Sequence, residues 1–155
     1  MDEIEGHNMP TANRAKQRKE LATLGPKILL VDDDPDLLRA LRLRLRANNY
    51  EVATAGDGYA AIASAQRERP ALIILDLGLP AGDGFVVLDR LQKTDHLSSV
   101  PVIVLTARDP DTSEERALKA GAAAFFQKPA DNYDLLNAIS LCLSPGRAQQ
   151  EALPS

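Results

Sequence analysis

Five short, mostly apolar runs, separated by stretches of helical length, constrain the fold of this chain more than any other feature. They are Lys27–Val31 (KILLV), Tyr50–Ala55 (YEVATA), Ala71–Leu75 (ALIIL), Val100–Leu105 (VPVIVL) and Ala122–Gln127 (AAAFFQ). The first, third and fourth are almost entirely apolar, as strands buried on both faces of a parallel sheet are. The second alternates and is short, which suits an outer strand. Between and after them, the segments Pro35–Ala47, Tyr59–Arg67, Gly84–Leu91, Asp111–Ala120 and Asp131–Leu143 are predicted to be helices. Strands and helices in strict alternation predict an α/β fold: one parallel sheet, helices on both faces, right-handed crossovers.

The first helix is the least obvious. Leu41–Arg46 alternates Leu and Arg, a strand pattern. Leu37, Leu38, Leu41 and Leu45 nevertheless form a helical stripe, and Leu, Arg and Ala are good helix formers. Asp34 is the expected N-cap, with Pro35 at the first helical position. Asn48-Asn49 ends that helix, Pro70 stops the second, and Gly121 caps the fourth.

With 155 residues the chain is long enough for one domain with a full core, and at 4% aromatics that core must be aliphatic. Three divisions are expected: an extension or linker over 1–26, with a helix available over Ala12–Leu24; the folded domain over 27–143; and a mobile tail over 144–155. A net charge of −4 argues against bulk nucleic-acid binding. Cys142 is the one cysteine, so the chain cannot form an internal disulfide. The acidic N-terminus is no signal peptide, and no apolar run approaches the ~18 residues of a membrane span. The expectation is a soluble cytoplasmic protein without a membrane partner.

In open parallel sheets ligands bind beyond the carboxyl ends of the strands. Asp32, Asp33, Asp76, Thr106 and Lys128 fall at those ends. Capping accounts for Asp34 but leaves Asp32 and Asp33 without a structural need. Like charges at 4 Å repel by roughly 4 kcal/mol at an effective dielectric of 20. A hard divalent cation such as Mg²⁺ removes that cost. Acids, a metal ion, a hydroxyl and a lysine around one carboxylate suit nucleophilic phosphoryl transfer onto that carboxylate.

These residues sit in four motifs: VDDDP (Val31–Pro35), LDLGLPAGDG (Leu75–Gly84), LTA (Leu105–Ala107) and KP (Lys128-Pro129). In that order they resemble a response regulator receiver domain, similar to the chemotaxis response regulator, over about Lys27–Leu143. The resemblance implies a flavodoxin-like (βα)5 fold, doubly wound, with strand order 2-1-3-4-5. It implies Asp76 as phosphoacceptor from the phosphohistidine of a sensor histidine kinase or from a phosphotransfer protein. Mg²⁺, with Mn²⁺ as a substitute, would be held by Asp33, Asp76 and the Gly78 carbonyl, with Asp32 acting through water. Thr106 and Lys128 would bind phosphoryl oxygens. Thr106 and Phe125 would form the switch, and Lys128-Pro129 would be cis. The face made by Asp111–Ala120, Ala122–Gln127 and Asp131–Leu143 would then bind a downstream protein or a second copy. The implied function is a signalling module, not a turnover enzyme. Gly78 and Arg108 occupy positions that vary in the family.

Three rival functions remain at this point. A haloacid-dehalogenase-like phosphatase also uses a strand-end Asp and Mg²⁺, but it needs a second Asp where Gly78 stands. A degenerate receiver would only bind partners, and the intact five-residue set argues against that. A nucleotide-binding protein is weaker still, because no glycine-rich phosphate loop follows Val31.

Overall fold

The computed structural model describes residues 25–80 and 83–144. Five parallel strands form one sheet: β1 (Lys27–Val31), β2 (Glu51–Ala55), β3 (Leu72–Leu75), β4 (Val102–Thr106) and β5 (Ala124–Gln127), in the order β2-β1-β3-β4-β5. Each is followed by a helix: α1 (Pro35–Ala47), α2 (Gly58–Glu68), α3 (Gly84–Lys93), α4 (Pro110–Lys119) and α5 (Asn132–Leu143). The expected sheet, strand order and five helices are all present. The expected helix over Ala12–Leu24 and the tail beyond Ser144 lie outside the described residues.

Successive strand residues point to opposite faces, so the core divides in two. Ile28, Leu30, Ile74, Ile103 and Leu105 pack against Leu41 and Leu45 of α1 and Leu135 and Ile139 of α5. Leu29, Val31, Ile73, Leu75, Val102 and Val104 pack against Ala61 and Ala65 of α2, Phe85, Leu88 and Leu91 of α3, and Ala117 of α4. Every helix opens on an aspartate whose carboxylate accepts a backbone N–H of the first turn: Asp34, Asp57, Asp83, Asp109 and Asp131. The sequence reading singled out only Asp34.

Four strands start one or two residues later than expected. Ala71 and Ala123 donate to Lys27 and Val102 respectively, before the paired registers of β3 and β5 begin. Val100 instead closes a turn onto Leu97, and Pro101 has no N–H to give.

Candidate functional site

The site is built from strand ends. Asp32 follows β1, Asp76 follows β3, Thr106 closes β4, and Lys128 follows β5. Val31 stands beside Leu75, and Leu75 beside Val104, so these ends lie next to one another. Sheet hydrogen bonding continues through the site: Asp32 donates to Ala55, Asp76 to Val31, and Lys128 to Thr106, at 2.8–3.0 Å. The candidate side chains of Asp32, Asp76 and Lys128 therefore stand on hydrogen-bonded backbone.

Carboxylate oxygens of Asp32, Asp33 and Asp76 lie within 4.8 Å of one another. Asp32 and Asp76 are buried, while Asp33 is open to solvent. Lys128 Nζ donates to Asp32 Oδ2 at 2.6 Å and lies 3.5 Å from Asp76 Oδ2. The other oxygens are engaged locally. Asp76 Oδ1 accepts the Gly78 N–H at 3.1 Å, and Asp32 Oδ1 accepts the Asp34 N–H at 3.0 Å. Burial raises the Asp32 carboxyl above its ordinary value, and the Lys128 hydrogen bond only partly offsets that. Burial pulls Lys128 down, but Asp32 and Asp76 together outweigh it and leave the ammonium above its ordinary value. Two buried carboxylates with one lysine, and a third at the rim, form an oxygen donor set suited to a hard divalent ion.

Gly84 explains how close the third helix comes to Asp76. A Cβ there would stand 2.6 Å from the Asp76 carbonyl oxygen and collide with Leu77 Cα. The Gly84 N–H also donates to the Leu77 carbonyl at 3.0 Å. At Gly78, by contrast, a Cβ would meet only the Asp76 carboxylate, at 3.8 Å. Thr106 is fully buried, and its hydroxyl accepts the Arg108 N–H at 3.3 Å. Phe125 is half-buried against the core layer that holds Phe85 and Ala117. Lys128-Pro129 is cis.

Residues 28–140 match the sequence model of the response regulator receiver domain. The chain belongs to the response regulator receiver family. Its five-stranded order is that of chemotaxis-type receivers. The chain is 43% identical over 104 residues to the transcriptional regulatory protein PrrA of Mycobacterium bovis, a match covering 67% of this chain and 44% of that one. It is 38% identical to the response regulator PleD of Caulobacter vibrioides, over 70% of this chain and 24% of that one. The matched region thus spans less than half the length of either relative. Among solved structures, the receiver domain of a sensor histidine kinase from Pseudomonas aeruginosa, with magnesium coordinated in its cleft, is 31% identical. That match has a TM-score of 0.71 and covers 77% of this chain and 98% of the other. The protein is a two-component signalling receiver. Among its described residues no helix is long and apolar enough to cross a membrane.

The receiver brings together Asp32, Asp33, Asp76 and Lys128. It places Thr106 on the strand beside them and Phe125 one strand further out. Sequence reasoning missed Asp83, whose carboxylate caps α3 and lies 3.6 Å from Arg108. It also missed Arg116, which stacks on Phe85. An Asp directly before the Gly-Phe start of a helix signalled the cap. Nothing in the sequence signalled the stack.

Proposed function

We propose that Asp76 accepts a phosphoryl group from the phosphohistidine of a sensor histidine kinase or phosphotransfer protein. An Asp76 carboxylate oxygen attacks phosphorus, the P–N bond breaks, and the imidazole nitrogen leaves with its electron pair. Asp32, Asp33 and Asp76, with the Gly78 carbonyl, would hold Mg²⁺, which neutralises charge on the incoming phosphoryl group. Lys128, already facing Asp76, would turn from Asp32 to a phosphoryl oxygen. The Thr106 hydroxyl would supply a donor from β4.

The observation that carries this reading is the convergence of three carboxylates and a lysine from the ends of β1, β3 and β5. Gly78 offers no side chain to protonate a leaving alkoxide, which weighs against a phosphatase of the haloacid-dehalogenase type. The output is a change of the face formed by α4, β5 and α5, acting on a partner protein or a second copy, with no direct contact between this domain and nucleic acid. PrrA, named as a transcriptional regulator, is more than twice the length of the matched region, so that absence of contact is proposed for the receiver alone. Acetyl phosphate with Mg²⁺ should add one phosphoryl group to the wild type and none to Asp76→Asn, read by intact mass. Full labelling of Asp76→Asn would overturn the assignment.

A further inference from the structure

Phe85 is a buried ring whose outer cover includes charge. It is 7% exposed, yet the guanidinium carbon of Arg116 lies 3.7 Å from its centroid and that of Arg108 lies 5.7 Å away. Both distances fall within cation–π range. Arg116 is on α4, and Arg108 is in the segment joining β4 to α4. Phe85 opens α3, on the same turn that Gly84 seats against the Asp76–Leu77 backbone. Arg108 is tied to that turn a second time through Asp83, at 3.6 Å.

The fourth helix buries little side-chain bulk of its own. Its buried residues are Ser113 and Ala117, both small, whereas α3 buries Gly84, Phe85, Val87, Leu88 and Leu91. A contact that is minor elsewhere is therefore a large part of the attachment of α4. We propose that Arg108, Phe85 and Arg116 form a latch that holds α4 against α3 in the unphosphorylated protein, and that phosphorylation of Asp76 releases it.

Release starts at Thr106, and this half of the proposal rests on Asp76 being the phosphoacceptor. A Thr106 hydroxyl that turns to donate to a phosphoryl oxygen gives up the Arg108 N–H it now accepts. The Arg108 backbone is then free to shift. Its guanidinium, paired only loosely with Asp83, meets a nearly dianionic competitor. Phe85 loses one cover, and α4, left with the Arg116 tie alone, turns away and breaks that tie as well.

Amide hydrogen exchange on the full chain, without Mg²⁺ or any phosphoryl analogue, tests the contact itself. Arg116→Gln should speed exchange across α4 about two- to fivefold, the effect of one exposed cation–π contact, and leave α1 unchanged. Phe85→Leu keeps the bulk, loses the π face, and should do the same. The double variant should add little to either. Unchanged α4 exchange in Arg116→Gln, or fully additive effects, overturns the latch. Beryllofluoride with Mg²⁺ then tests release. Arg116→Gln should bind it about two- to fivefold more tightly, because activation no longer has to break the contact. Equal affinities in variant and wild type overturn the release. A wild type that binds no beryllofluoride refutes the Asp76 reading, and release with it, while the exchange comparison still decides the contact.

Discussion

Gly78 and Gly84 look alike in the sequence, two glycines of one loop, yet only one is demanded by geometry. At Gly84 a methyl group meets backbone that has no room to yield. Gly84→Ala should cost about 1–3 kcal/mol, despite the ~1 kcal/mol that alanine gains over glycine in a helix. Gly78→Ala should stay within about 0.5 kcal/mol, its Cβ meeting only the Asp76 carboxylate at 3.8 Å. Chemical denaturation of the two variants against wild type checks the pair. Asp32, Asp33, Asp76 and Lys128 were legible in the sequence because strand-end carboxylates lacked a structural purpose. The pairing of Lys128 with Asp32 was not, since it joins residues 96 positions apart. The stacking of Arg116 on Phe85 was hidden for another reason: exposed arginines on a helix usually only face water.

At the scale of elements, α1 carries the clearest lesson. Its Leu-Arg alternation suits a strand, but Leu41 and Leu45 are buried while Leu43 is 69% exposed, as a helical turn requires. The Asp34 cap and Pro35 settle the conflict before the alternation begins. Strand starts were less legible, because an apolar residue entering a sheet reads the same whether or not it joins the ladder. The aspartate caps yield a direct test. Asp57 accepts the Ala60 N–H at 2.7 Å, and Asp57→Ala should cost about 1 kcal/mol and lower Tm by about 4 °C. Thermal melts by circular dichroism read that shift, and Asp57→Asn should recover most of it.

For the whole molecule, alternation alone dictated a parallel sheet, while the strand order came from the family resemblance, since several orders satisfy the same crossovers. The sheet gathers its acids at one edge, and that sets a pH dependence. A buried carboxyl held above its ordinary value favours the protonated form when folded. Its contribution to stability is therefore present below the ordinary carboxylate range and lost as pH rises through the raised value. Mg²⁺ binding needs the ionised form, so affinity should weaken as pH falls through that window. Calorimetry at about pH 5 and about pH 7.5 should show the loss in wild type and a smaller one in Asp32→Asn. The five aspartate caps carry a consequence beyond local stability. Every helix begins at the edge where strands end, so the caps add their charge to that of Asp32, Asp33 and Asp76. Arg44, Arg46, Arg67, Arg90, Lys93 and Lys119 occupy last helical turns, toward the opposite edge. Among the described residues, these caps and last-turn bases thus form a dipole along the strands. An approaching body of positive potential exerts a torque that brings the acidic end round first, and a negative one turns it away. That alignment acts only within a Debye length, about 8 Å at physiological ionic strength, so added salt should blunt the orientation of encounter before it disturbs any contact.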